Sequence, residues 1–563
     1  HDVSIHRKGD RAARVGFEAK TLKAEQDFLL QWNVSEDALA PLLVTHRGHE
    51  KDGFFYLSIT PRPEQPTQVP PKDVVFAIDT SGSMTGKKME QVRKALRYCV
   101  ANLNANDRFN IVDFSTEARR FQKDVVPANA ETKKQANLYI DQLVARGGTN
   151  IEEAMRYALE AKDASRLRLV VLLTDGEPTI GVTRPEDVLA SLKKINSTQQ
   201  RVFVFGVGMD LNAKLLDSIV LDHKGAAQYI RGDQDLEVPL SAFYDKVDSP
   251  VLTNVSIEVK GARVSSVYPK PIPDLFRGDQ LDVFGRYDTD GFKTVIVKGN
   301  YLGKPRVFEY SLEFRGDKHD EIPQLWALRA IGHLLEEIRL KGEKNELKDE
   351  VIRLSKLYGV LTPYTSYLIL EEGALARVPR APGANAGAVP LYRYALEDAL
   401  GVRPNARPSA SRVAGGAAGA VRDREVRRAL RKNKAEFDSA RGAKSVEYSE
   451  RILRLKKGVA DAEKDLSGAW KLSEPRQQGQ SAGKAIVRMR KLAGRTFYLQ
   501  GKRWIDSVLT TRELKKDEKI TTVKYLSDEY FDLLKKYNGI GKLLSIGPEV
   551  SFVWNGSLMS IVK

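Results

Sequence analysis

Hydrophobic and polar positions change their period three times along this chain. In the first sixty residues, short segments at Arg14–Ala19, Phe28–Trp32 and Phe54–Ile59 alternate in the manner of antiparallel strands and are rich in aromatic residues. Five prolines between residues 61 and 71 then exclude a helix or a central strand. The pattern therefore predicts a β-rich region at 1–66 that is followed by a linker.

From Asp73 the period changes to apolar runs that alternate with amphipathic stretches. Each run is typical of a strand buried on both faces. The runs are Val74–Ile78, Phe109–Phe114, Leu167–Leu173 and Val202–Val207. Helical patterns lie between them, ending at Leu103 for the first and then near 130–144, 151–162, 185–195 and 212–221. This order predicts a doubly wound, Rossmann-like α/β domain over residues 73–248.

After residue 250 the period returns to two. Strands are predicted at Val255–Val259, Thr294–Lys298 and Phe308–Phe314. Helical patterns follow at 323–341 and 345–357, and then a final strand at Ser366–Leu370. Residues 250–372 are therefore predicted to form a β-sandwich with a helical segment.

The C-terminal third is divided by composition. Residues 373–420 are rich in Ala, Gly, Pro and Arg, which predicts a flexible linker. Residues 421–466 are predicted to be a charged helix, a mostly solvated stalk, although Leu430, Phe437, Ile452 and Leu455 could pair it with another helix. Residues 490–563 are predicted to form a small α+β unit. The whole chain is thus a multidomain α/β plus β protein.

The positive charge is confined to that C-terminal third. The chain has a net charge of +16, yet residues 401–563 alone carry 35 Lys and Arg against 18 Asp and Glu. A contact with an anionic surface polymer or membrane would therefore be made there. Acidic residues interleave with the basic ones and no aromatic series accompanies them, so nucleic acid is not the expected partner. No apolar run is long enough to span a membrane.

Cys99 is the only cysteine of the chain. A single cysteine excludes an internal disulfide and a cysteine-type zinc site, which fits the cytosol or a bacterial envelope compartment. No basic and then apolar leader precedes His1, which leaves a processed end and a partial chain both open.

Three separate segments carry oxygen donors to the carboxyl ends of the predicted parallel strands. Asp79, Ser81 and Ser83 form a D-x-S-x-S loop directly after the first buried strand, Thr149 follows two glycines, and Asp175 ends the third buried strand. Open α/β sheets bind ligands at this edge. Carboxylates and hydroxyls are hard ligands that suit Mg²⁺, Mn²⁺ or Ca²⁺ and not zinc or copper. A site for one divalent cation is therefore predicted.

These five residues resemble the metal-ion-dependent adhesion site of von Willebrand factor A domains. The segment Lys356–Glu372 resembles the heavy chains of inter-alpha-trypsin inhibitor and their bacterial relatives, in which a vault/inter-alpha-trypsin (VIT) domain precedes the A domain. Residues 1–66 are similar to the C-terminal half of such a VIT domain. The resemblance covers roughly residues 1–372.

The resemblance implies a binding function and no catalysis. In the family the serines and the threonine coordinate the cation directly, the aspartates act directly or through water, and an acidic residue of a protein partner fills the open position. It also implies an extracytoplasmic location. The alternative is a cytoplasmic accessory subunit that docks a partner ATPase through the same site. No nucleophile elbow or Ser-His-Asp order supports a hydrolase.

Overall fold

The computed structural model describes the chain in segments. These are residues 2–7, 13–18, 38–48, 52–61, 70–160, 166–175, 177–196, 200–231, 237–247, 249–360, 362–365, 434–458, 489–492, 495–500, 503–511, 520–537, 540–555 and 557–563. The predicted strands Phe28–Trp32 and Ser366–Leu370 and the predicted linker 373–420 lie outside them. In the part of the chain that is described, no helix is both long and apolar enough to cross a membrane.

A seven-stranded sheet forms the centre of the A domain, the name used here for residues 72–247. Five strands are parallel, and two short strands pair antiparallel with one edge strand. In chain order the strands are β5 (Lys72–Asp79), β6 (Arg108–Phe114), β7 (Ala118–Arg120), β8 (Val126–Pro127), β9 (Leu167–Thr174), β10 (Arg201–Val207) and β11 (Ala227–Ile230). The spatial order β11-β10-β9-β5-β6-β7 is doubly wound, because the chain moves outward from β5 in both directions. This confirms the predicted Rossmann-like fold.

Helices cover both faces of this sheet. They are α1 (Lys87–Ala101), α2 (Ala130–Asp141), α3 (Ile151–Leu159), α4 (Pro185–Ile195), α5 (Ala213–Asp222) and α6 (Glu237–Val247). Val74, Phe76 and Ile78 of β5 pack in one core with α1, α2 and α6. Val75 and Ala77 of the same strand pack with α3, α4 and α5 on the opposite face. A continuous apolar run is needed because both faces are buried.

Strands from both sides of the A domain build one β-sandwich. One sheet has the order β13-β15-β4-β3 and the other β14-β12-β16-β17. The strands are β3 (Leu39–His46), β4 (Gly53–Pro61), β12 (Pro250–Lys260), β13 (Val264–Tyr268), β14 (Leu275–Phe276), β15 (Leu281–Tyr287), β16 (Gly291–Tyr301) and β17 (Lys304–Phe314). Leu57 and Ile59 share a core with Val283 and Val297, so residues before the A domain complete the fold that follows it.

A separate hairpin lies at the start of the chain. Its strands are β1 (Asp2–Arg7) and β2 (Ala13–Glu18), which pair antiparallel. The assignment of residues 1–66 to a VIT-like domain stays a prediction.

Three helices join the sandwich to the A domain. They are α7 (Glu321–Lys341), α8 (Asn345–Tyr358) and α9 (Ala443–Lys457). Arg339 of α7 is 2% exposed and donates to Asp217 of α5 at 2.7 Å, and to the Ser445 and Ser449 hydroxyls of α9 at 2.7 Å each. The buried guanidinium therefore ties three segments together through charge-assisted hydrogen bonds.

The prediction of a solvated stalk is wrong for the described residues 434–458. Phe437 and Tyr448 lie in the core that surrounds α7, whereas Val446 lies in a core of the A domain. Leu455 is 2% exposed. The alternative, pairing with another helix, is the one that the structure shows, because Phe437, Ile452 and Leu455 lie in one core with α7. Burial of this narrow apolar stripe holds α9 against its neighbours.

The C-terminal unit is an α+β fold with its own core. Its six-stranded sheet has the order β18-β19-β20-β22-β23-β21. The strands are β18 (Met489–Leu492), β19 (Arg495–Gln500), β20 (Arg503–Asp506), β21 (Ile520–Lys524), β22 (Val550–Trp554) and β23 (Ser557–Val562), and the helices are α10 (Ser507–Thr511), α11 (Asp528–Lys536) and α12 (Ile540–Leu544). Tyr498 and Ser507 donate to carbonyl oxygens at the end of α8, which fixes the unit to the helical segment.

Candidate metal centre

The parallel register brings two predicted ligands to the same edge of the sheet. Ile78 of β5 pairs with Leu173 of β9, so the next residues, Asp79 and Thr174, lie side by side. The Thr174 hydroxyl donates to Asp79 Oδ2 at 2.6 Å. Asp175 follows immediately at the carboxyl end of β9, which places a second carboxylate at this edge.

The loop after β5 turns two serine hydroxyls toward these carboxylates. The Ser81 backbone N–H donates to Asp79 Oδ1 at 2.8 Å, and a 3-10 turn follows at Gly82–Met84. The Ser81 and Ser83 hydroxyl oxygens are 3.0 Å apart, and Ser83 Oγ donates to Asp175 Oδ1 at 2.7 Å. Asp79, Ser81, Ser83 and Asp175 thus form one continuous chain of hydrogen bonds.

The loop that carries Thr149 is fastened against the serine loop. The Arg146 N–H donates to Thr80 O at 2.7 Å, and the Gly82 N–H donates to Gly147 O at 3.1 Å. Gly147 has φ +74°, and a Cβ atom there would lie 2.5 Å from Thr116 Oγ1, so this close approach requires glycine.

Thr149 itself is 4% exposed, and its backbone is held on both sides by Thr179. Its N–H donates to Thr179 Oγ1 at 2.8 Å, and its carbonyl oxygen accepts from the Thr179 N–H at 2.9 Å. Within the described residues its hydroxyl makes no hydrogen bond to the other four predicted ligands. The structure therefore brings four of the five into one chain and places Thr149 on an adjoining, fixed loop.

Both carboxylates are buried. Asp79 is 0% and Asp175 is 7% exposed. Burial raises the pKa of the Asp79 carboxyl to about 6, and the hydrogen bonds from Ser81 and Thr174 oppose that rise. Asp175 is contacted by the ammonium group of Lys88, which also donates to Ser83 O at 3.2 Å. The site therefore holds two acidic groups, of which Asp175 has a direct cationic partner.

The side chains at this edge carry the kind of ligand that a small divalent cation prefers. Mg²⁺ binds carboxylate and hydroxyl oxygens, and both kinds are present here. The Ser81 and Asp175 oxygens lie 3.0 and 2.7 Å from Ser83 Oγ, which are ordinary hydrogen-bond lengths. In the described residues, this edge included, no group of three or more His, Cys, Asp and Glu side chains could hold a metal. A cation at this edge would thus depend on the hydroxyl groups.

Four neighbours of the site were not singled out from the sequence. Thr174 and Thr179 act through hydroxyl groups, and Lys88 lies in the helix that follows the loop. Arg441 pairs with Glu177 at 2.9 Å, two residues beyond Asp175. Thr174 had a signal, because it ends a strand beside Asp79. The Arg441 contact joins segments far apart in the chain and leaves no local pattern.

Residues 72–229 match the family model of the von Willebrand factor type A domain. The chain is 32% identical over 387 residues to inter-alpha-trypsin inhibitor heavy chain H4 of Homo sapiens, which covers 63% of this chain and 42% of that protein. It is 29% identical over 351 residues to heavy chain H2 of Sus scrofa, which covers 58% of this chain and 37% of that protein. The chain thus spans about two fifths of the length of these curated relatives.

Among solved structures, a von Willebrand factor type A protein from Catenulispora acidiphila matches with a TM-score of 0.41 and 16% identity, over 58% of this chain and 92% of that chain. From the sequence comparisons, this protein contains a von Willebrand factor type A domain and is similar to the inter-alpha-trypsin inhibitor heavy chains.

Proposed function

We propose that this chain is a non-enzymatic binding protein whose A domain captures a protein partner through a divalent cation. The cation is held by Asp79, Ser81, Ser83, Thr149 and Asp175, and an acidic residue of the partner completes its coordination. Mg²⁺ is the preferred ion, and Ca²⁺ or Mn²⁺ offers the same oxygen chemistry. The observation that supports this most is that the loop after β5 and the end of β9 bring Asp79, Ser81, Ser83 and Asp175 together at one edge of the sheet.

The burial of Asp79 is the second support. A carboxylate removed from water is stable only when it is paired, hydrogen-bonded or bound to a metal. Asp79 has hydrogen bonds from Thr174 and from the Ser81 N–H, and its pKa is nevertheless raised to about 6. A bound cation would supply the missing positive charge.

We further propose an extracytoplasmic location, which the similarity to inter-alpha-trypsin inhibitor heavy chains supports. The basic C-terminal third is proposed to contact an anionic surface polymer or membrane. Sedimentation with phosphatidylserine vesicles tests the second part, since such binding would weaken as salt rises.

Isothermal titration with MgCl₂ tests the cation site. We expect the wild-type chain to bind one Mg²⁺ and Asp79→Ala to bind none. Asp141→Ala is the matched control, because it removes an exposed aspartate at the end of α2 that pairs only with Arg97 among its described neighbours. Equal binding by wild type and Asp79→Ala would reject the site.

The partner carboxylate is tested separately on a surface coated with glutamate-containing peptides. We expect retention of the wild-type chain in Mg²⁺, release by EDTA, and no retention of Asp79→Ala. Retention that persists in EDTA would show that the peptides bind elsewhere, through ordinary charge attraction.

A further inference from the structure

Lys88 places a positive charge on the carboxylate that the proposed cation would use. Its ammonium group contacts Asp175 Oδ2 and donates to Ser83 O at 3.2 Å. The other oxygen of the same carboxylate, Asp175 Oδ1, accepts from Ser83 Oγ at 2.7 Å. The ammonium therefore shares Asp175 and Ser83 with the row of proposed ligands.

The position of Lys88 is not explained by the helix that carries it. Lys88 is the second residue of α1, where the positive end of the helix dipole disfavours a cation. The preceding Lys87 is exposed, as expected for a lysine at a helix start. The side chain of Lys88, in contrast, is 32% exposed, and its ammonium group contacts the Asp175 side chain, which is 1% exposed. The contact with Asp175 therefore accounts for the position of the Lys88 side chain.

The side chain of Lys88 is partly open to solvent, since it is 32% exposed. Its ammonium group is carried on a flexible four-carbon stem. Lys88 can therefore turn from Asp175 toward solvent by a change of side-chain rotamer, without a change of the backbone.

We propose that Lys88 is a built-in competitor that sets the affinity of the site for its divalent cation, an inference that rests on the proposed function. A divalent ion held by Ser83 and Asp175 would stand close to the ammonium group, which contacts the same two residues. The repulsion between the two positive charges would lower the affinity for the ion by more than about tenfold, even at the effective dielectric constant of a protein surface. Cation binding thus displaces Lys88, and the retained lysine neutralises Asp175 when cation is scarce.

Titration of Mg²⁺ into Lys88→Met and Lys87→Met measures this directly. The two substitutions remove the same charge from neighbouring positions of one helix. We expect Lys88→Met to bind Mg²⁺ about tenfold more tightly than wild type, or more, and Lys87→Met to stay within about twofold. Equal or weaker binding by Lys88→Met overturns the inference while the cation site stands. Absence of Mg²⁺ binding in wild type and both variants overturns the proposed function as well.

Thermal unfolding distinguishes competition from a structural role. In EDTA, Lys88→Met should unfold at a lower temperature than wild type, because Asp175 has lost its counter-charge. Saturating Mg²⁺ should remove that difference, since the cation replaces the lysine. A deficit of the same size in EDTA and in Mg²⁺ would show a structural role alone and contradict the competition.

Discussion

Each end of strand β5 carries a buried aspartate, and the two aspartates differ in the charge of their partners. Asp73, at the amino end, is 0% exposed and accepts from Arg108 at 2.8 and 3.0 Å and from Arg168 at 3.1 Å, with Arg166 at 3.6 Å. Asp79, at the carboxyl end, is equally buried but has hydroxyl and backbone partners.

The same strand therefore allows a structural carboxylate, Asp73, to be compared with the proposed binding carboxylate, Asp79. Lys72 and Asp107 add a second fully buried ion pair at the amino end, with Nζ to Oδ2 at 2.7 Å. At the amino end, arginine and lysine side chains balance the charges of Asp73 and Asp107, so these carboxylates stabilise the fold. At the carboxyl end the direct partners of Asp79 are neutral, which leaves a charge for a ligand to balance.

The largest effect should come from removing the structural carboxylate. Asp73→Ala leaves the buried guanidinium of Arg168 and the partly exposed guanidinium of Arg108 without their shared partner, so it should cost about 3–5 kcal/mol of unfolding free energy. Urea denaturation measures this cost. The loss should be the same in Mg²⁺ and in EDTA, with Asp141→Ala as a near-neutral control. A loss that Mg²⁺ reverses would place Asp73 in the cation site.

Removing the charge of Asp79, the proposed binding carboxylate, should weaken cation binding and leave stability unchanged or higher. Asp79→Asn keeps the shape of the side chain, and the Thr174 hydroxyl can reverse its hydrogen bond. We expect Mg²⁺ affinity to fall by about 100-fold or more, because a charged ligand is lost. Stability in EDTA should stay equal or rise, since a desolvated charge is removed. A large loss of stability in EDTA would contradict the contrast between the two ends.

The pH dependence of cation binding follows from the raised pKa of Asp79, about 6. That value lies above the ordinary carboxyl pKa of about 3.9, so in the absence of cation the protonated form is favoured by folding, and the contribution to stability fades as pH rises through 6. Mg²⁺ needs the carboxylate. Its affinity should therefore fall about fivefold between pH 6 and pH 5 and level off above pH 7. Titrations at these pH values measure it; a flat profile would show that Asp79 does not bind the ion.

The smallest effect concerns Arg166, the most distant of the three arginines around Asp73. Arg166 approaches Asp73 at 3.6 Å and is one-fifth exposed, whereas Arg168 approaches it at 3.1 Å and is 6% exposed. Arg166→Ala should therefore cost about 1 kcal/mol of unfolding free energy, because the contact is long and partly solvated. Arg168→Ala is the comparison, and its cost should be clearly greater. Equal costs would show that the distance from Asp73 does not determine how much each arginine contributes to stability.

Local patterns predicted most of the fold and the location of the candidate site. Apolar runs predicted the ends of β5, β6, β9 and β10 to within two residues. These runs are easy to recognise because a strand buried on both faces is apolar at nearly every position. The same strand ends placed Asp79, Ser81, Ser83 and Asp175 at one edge. Their roles in cation binding remain a prediction.

Contacts between distant segments could not be predicted in this way. The apolar stripe of α9, with Val446 and Leu455, is short and surrounded by lysine and arginine, so its charge predicted a solvated helix. Its burial depends on Arg339 and Asp217, which lie more than one hundred residues away. Similarly, the sequence predicts that Lys88 lies in a helix, but it does not show that the Lys88 ammonium group contacts Asp175.

The cation site is tested most directly by a crystal structure grown with MnCl₂, with anomalous diffraction recorded for manganese. Mn²⁺ prefers the same oxygen ligands as Mg²⁺ and can be located without ambiguity. One strong peak should lie within bonding distance of Ser81 Oγ and Ser83 Oγ, with the Lys88 ammonium turned away from Asp175. A peak elsewhere on the A domain, or none at these hydroxyls with the manganese concentration at saturation, would show that the serine loop does not bind the cation.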